Sequence, residues 1–112
     1  MDIEIVLVEN IARVRLKGRL DTPGVDQVEG KFIASVVTGG KNAVVDLSQV
    51  SFIASMGLRM FIGIAKNLKR HNARMVLFAP QSQVREIFST VLMHEILPIV
   101  ADEAEAIRLA SS

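Results

Sequence analysis

Two short and nearly uninterrupted apolar runs, Ala43-Val44-Val45-Asp46-Leu47 and Met75-Val76-Leu77-Phe78, restrict this chain more than any other feature, because each is followed by a segment of helical periodicity. A strand buried on both faces reads as such a run, whereas a half-exposed strand alternates. Strands that alternate with helices return in the same direction and build a parallel sheet.

The segments around these runs extend the pattern. Ile3 to Val8 and Ile11 to Lys17, separated by Glu9-Asn10, read as an antiparallel hairpin. Val14 and Leu16 share one face of its second strand and Arg13, Arg15 and Lys17 the other, a face that is wet or covered by something polar. Thr22, a good N-cap, and Pro23, favoured in a first turn, start a helix through Val25, Val28, Phe32 and Val36, which Gly39-Gly40 close. A second helix opens around Phe52-Ile53-Ala54-Ser55 and runs to about Arg70, with Leu58, Phe61, Ile62, Ala65 and Leu68 as one apolar stripe and Lys66, Lys69 and Arg70 favouring its C-terminal end. Val84, Ile87, Phe88 and Val91 mark a third helix after Pro80, Leu97 to Val100 a last strand, and Asp102 the cap of a final helix through Ala106, Ile107 and Ala110. The expected order is ββαβαβαβα, an α/β fold with a mixed, mostly parallel sheet and helices packed on it, formed by residues 1–112 as one domain.

Composition removes whole classes of function. Half of the residues are hydrophobic and 22% charged, far from the signature of disorder. Without Cys there are no disulfides and no thiol chemistry, which suits a reducing compartment. His71 and His94 lie in no metal-ligand spacing, so no metal is expected. The acidic start Met1-Asp2-Ile3-Glu4 and the lack of any apolar run near the ~18 residues of a membrane span point to a cytoplasmic protein with no membrane insertion. A net charge of +1 and the absence of Trp and Tyr argue against nucleic-acid binding.

Catalysis lacks its motifs. There is no GxSxG, P-loop or GxGxxG, and the strand-end acids Asp21 and Asp46 have no carboxylate cluster around them to hold Mg²⁺. Asp21 reads as a turn or cap residue and Asp46 as a loop-orienting group; no catalytic residue and no cofactor is expected.

Ser55 stands where a strand-to-helix loop enters a helix, beside orphan N–H groups and the positive end of the helix dipole. It is read either as an ordinary N-cap or as a phosphoacceptor; Ser48, Ser51, Thr22, Ser82 and Ser89 are better read as turn or cap residues. Met56, Met60 and Ile64 fall opposite the Leu58/Phe61/Ala65 stripe, with Gly63 and Asn67 beside them. This second apolar face is covered by another element of the fold or open as a docking surface, where Gly57 and Gly63 would let a partner approach closely.

Three stretches, "LKGRLDTPGV" at 16–25, "VVDLSQVSFIASMGLRMF" at 44–61 and "APQSQVREIF" at 79–88, make the chain resemble the STAS domain of bacterial anti-sigma factor antagonists over nearly its whole length. The resemblance implies that the dephosphorylated protein binds an anti-sigma factor that is also a serine kinase and thereby frees a sigma factor. Phosphorylation by that kinase breaks the complex, and a metal-dependent serine phosphatase restores it. The position that matches the family's phosphoacceptor is Ser55, and Ala54 stands where the family often has an acid. The expected contact surface is Ala54, Ser55, Met56, Gly57, Arg59, Met60, Gly63 and Ile64, together with Asp21 and Thr22; a weak homodimer is a further expectation. The rival reading is a constitutive subunit of the same fold, within a transporter or signalling scaffold, in which Ser55 is only a cap.

Overall fold

The computed structural model describes residues 1–112. Strands β1 (Asp2–Val8) and β2 (Ile11–Leu20) form the expected antiparallel hairpin, and β3 (Asn42–Ile53), β4 (Met75–Phe78) and β5 (Ile99–Val100) follow in parallel, so the five-stranded sheet has the order β1-β2-β3-β4-β5. Between the parallel strands run α1 (Thr22–Phe32), α2 (Ser55–Arg70) and α3 (Ser82–Thr90), and α4 (Glu103–Ala110) closes the chain.

This strand order decides where the helices go. Crossovers between parallel strands are right-handed, so strands added one after another in a single direction place every connecting helix on the same side. The main core accordingly joins Val25, Val28 and Phe32 of α1, Met60, Phe61, Ile64 and Leu68 of α2 and Val84 and Phe88 of α3 to the inward residues of β2, β3 and β4. Only α4 reaches the opposite face, where Ala106 and Ala110 cover Val44, Val76 and Phe78. Coverage of both faces explains why β3 and β4 read as continuous apolar runs.

The cationic face of β2 lies on the α4 side. Arg13 Nη2 donates to both carboxylate oxygens of Glu103 at 2.6 Å, and Arg15 Nε lies 3.4 Å from Asp46 Oδ2. Asp46 Oδ1 also accepts from the Ser48 N–H at 2.8 Å.

Several boundaries differ from expectation. Asp21, not Thr22, is the N-cap of α1: its Oδ1 accepts from Gly24 N at 2.9 Å, and Thr22 is already helical. Beyond Phe32 the helix widens into a π-helical turn over Ile33–Val37, with Thr38 N bonded to Ile33 O at 3.1 Å, before Gly40 takes φ +60°. β3 runs six residues past the apolar run, to Ile53, since β2 continues alongside it to Leu20 with shifts of register near Arg15 and Gly18. Ser48, Gln49 and Ser51 in that extension are exposed, which hid it from a reading based on hydrophobicity. The last strand shrinks to Ile99–Val100, because a 3₁₀ turn at Met93–Glu95 buries Met93 and leaves Leu97 in the core as part of the connection. Asp102 caps α4 as expected, accepting from Glu105 N at 2.9 Å.

Phe61 is fully buried and anchors α2 to the sheet. Phe61→Ala should cost about 3–5 kcal/mol in urea unfolding, the usual range for truncating a core phenylalanine.

Candidate functional site

Helix α2 starts hard against the end of β2. The last paired residues of the two strands are Leu20 and Ile53, and Ala54 N–H donates to Leu20 O at 3.0 Å. One turn on, a Cβ at Gly57 would lie 2.9 Å from Ile53 Cγ1, Leu20 Cγ and Leu20 O. No side chain fits there. Gly24 is pressed in the same way against the Arg19 carbonyl oxygen, 2.1 Å from where its Cβ would stand. The starts of α1 and α2 are therefore held side by side at the carboxyl edge of the sheet.

Ala54 occupies the N-cap of α2 in extended conformation, φ −108° and ψ 177°, and offers no side-chain acceptor. Gly57 and Leu58 N–H return to Ala54 O at 2.9 and 3.2 Å. The N–H groups of Ser55 and Met56, at the helix start, have no such intrahelical acceptor. Ser55 is the first helical residue and not the cap, it is exposed, and its hydroxyl makes no hydrogen bond within the chain. The first turn carries no acid, so nothing in it competes with an added negative charge for the dipole.

Cations flank this turn. Arg59, one turn after Ser55 and on the same arc of the helix, is exposed and unpaired. Arg19 lies with its guanidinium carbon 4.3 Å from the centroid of the Phe52 ring and its Nε 3.5 Å from Asp21 Oδ2. The Gly24 N–H bond, aided by Arg19, holds the Asp21 carboxyl below its ordinary value of 3.8. The residue singled out neither by motif nor by periodicity is Arg19; its signal was the strand register, which sets it opposite Phe52.

The surface is smaller than the helical pattern suggested. Asp21, Thr22, Ala54, Ser55, Met56 and Arg59 come together at this edge, and Met56 is 37% exposed. Met60 and Ile64, however, are 3% and 2% exposed members of the main core, and Gly57 is buried under Leu20 and Ile53. The second apolar face is thus a covered one. The inward arc of α2 is centred on Gly57, Met60, Phe61, Ile64 and Leu68, between the two stripes read from the sequence, with Leu58, Ile62 and Ala65 only partly buried on its flank. Gly63 is half-buried, with open space where a Cβ would project.

No group of three His, Asp or Glu side chains is placed to hold a metal ion, and no helix is long and apolar enough to cross a membrane. His71 Nδ1 lies 2.9 Å from Asn67 O at the end of α2.

The sequence matches the STAS domain over residues 2–106. This chain belongs to the STAS domain family. BtrV of Bordetella bronchiseptica, which carries the provisional description of anti-sigma factor antagonist, is 33% identical over 91 residues, 81% of this chain and 78% of that protein. In fold the chain is similar to a provisionally assigned anti-sigma factor antagonist of Thermotoga maritima, with TM-score 0.90, 17% identity and coverage of 98% and 95%. It is also similar to the Bacillus cell fate determinant SpoIIAA in its phosphorylated form, with TM-score 0.72, 24% identity and coverage of 96% and 97%. The STAS fold expected from the sequence is the fold observed.

Two predictions follow from the packing around this turn. Gly57→Ala should destabilise the protein by about 1–3 kcal/mol in thermal unfolding, since the methyl group must displace backbone and core atoms together. A carboxylate whose folded value is lowered stabilises in its ionised form: the contribution of Asp21 is complete above its ordinary 3.8 and lost as pH falls through its folded value. Asp21→Asn should therefore flatten the acid limb of a stability-against-pH curve and leave the slope near neutrality unchanged.

Proposed function

We propose that this chain is an anti-sigma factor antagonist controlled by phosphorylation of Ser55. The dephosphorylated form binds an anti-sigma factor that is also a serine kinase and releases a sigma factor. Phosphoryl transfer to Ser55 ends the complex, and a serine phosphatase resets it, all in the cytoplasm. The observation that carries this reading is the state of Ser55: exposed, unbonded and uncapped at the start of α2, on the outer arc with Arg59 and beside Asp21 and Thr22.

A phosphoserine adds about −1.5 to −2 charges at neutral pH. At a helix N-terminus that charge is favourable to the helix, so the modification leaves the fold intact and acts on the partner. Each tenfold loss of affinity needs only about 1.4 kcal/mol, which a desolvated double charge within an interface supplies. Relatives described as antagonists of anti-sigma factors support this reading over the constitutive subunit.

Ser55→Asp should unfold no more easily than wild type and bind the cognate anti-sigma factor at least about tenfold more weakly in calorimetry. Ser55→Ala should bind and accept no phosphoryl group, as read by site-resolved mass spectrometry. Wild-type affinity in Ser55→Asp would sink the switch.

A further inference from the structure

A second feature lies on the same edge of the sheet and includes no residue of α2. α3 and the carboxyl ends of β4 and β5 border an open cleft of about 310 Å³. Phe88, Ile99 and Val100 give it an apolar lining, and Arg85, Ser89 and His94 stand on its polar side. No carboxylate lines it.

The pairing of the arginines sets Arg85 apart. Arg13, Arg15, Arg19 and Arg108 each face a carboxylate, Arg70 donates to Asn67 Oδ1, and Arg74 donates to Leu109 O. Only Arg59, beside Ser55, and Arg85 have no acceptor within the chain. The Ser89 hydroxyl and the His94 ring, exposed like Arg85, likewise make no hydrogen bond within the chain.

The backbone brings these groups together at some strain. Leu92 takes φ +56°, a left-handed conformation unfavourable for a leucine. Immediately after it Met93 is fully buried, and His94 is returned to the cleft. Small-molecule sites are pockets of roughly 300–1,000 Å³ with apolar walls and a few convergent polar groups.

We propose that this cleft binds a small organic anion. An aromatic or branched apolar body would rest on Phe88, Ile99 and Val100, and a carboxylate or phosphate would meet Arg85, with Ser89 and His94 as further donors. The site is separate from the Ser55 surface, and its test does not depend on the switch.

The full chain, labelled with ¹⁵N, is titrated with benzoate, with phenyl phosphate and with the neutral benzyl alcohol. At least one anion should give saturable amide shifts centred on Arg85, Ser89, His94 and Ala101, with benzyl alcohol at least about tenfold weaker. Arg85→Gln should weaken the anion at least about tenfold while amides distant from the cleft keep their positions. A response to only one anion identifies the head group as carboxylate or phosphate. The proposal is overturned if neither anion saturates, if the shifts centre on the start of α2, or if benzyl alcohol or Arg85→Gln matches the wild-type anion affinity.

Discussion

The contact between Gly57 and the end of β2 governs the geometry of the candidate site. With Leu20 Cγ, Leu20 O and Ile53 Cγ1 all 2.9 Å from where a Cβ would stand, the helix can begin where it does only because residue 57 has no side chain. The Ala54 N–H to Leu20 O bond fixes the same junction from the backbone side, and Gly24 brings α1 against Arg19 and Asp21, the residues on either side of Leu20. Two helix starts and one strand end are locked into a unit. Whatever recognises the first turn of α2 therefore meets the β2–α1 loop at the same moment.

That arrangement separates the chemistry of the surface from the stability of the fold. No polar or charged side chain is buried, so the structure rests on apolar packing from both sides of β3 and β4. The ion pairs lie at or near the surface, where each contributes on the order of 1 kcal/mol or less. A charge placed on Ser55 meets the positive end of a helix and an unpaired Arg59, not a buried neighbour. A site of this kind can change its charge without changing its shape.

How much of this was legible can be followed residue by residue. The hairpin, the two buried strands, α2 and α3, and the cap at Asp102 came from periodicity and local chemistry, and the STAS stretches located Ser55. The polar part of β3 did not, since Ser48, Gln49 and Ser51 carry no hydrophobic signal: Gln49 pairs with Lys17 of β2, and Ser48 and Ser51 fall at the shifts of register. Thr22 resembled a cap as well as Asp21 did; only the bond from Gly24 N separates them. Met60 and Ile64 were misplaced because α2 is apolar around most of its circumference, and a helical wheel gives angles between residues without saying which arc faces the sheet.

The sequence by itself determined the fold class and the order of elements, because these depend on interactions among neighbours in the chain: alternation, helical spacing, glycines and caps. Tertiary structure alone decided which face of α2 is buried, that Arg19 lies over Phe52 beside Asp21, and that Arg85 and His94 share a cleft. Those facts depend on strand register and on the same-sided right-handed crossovers, which bring distant segments together.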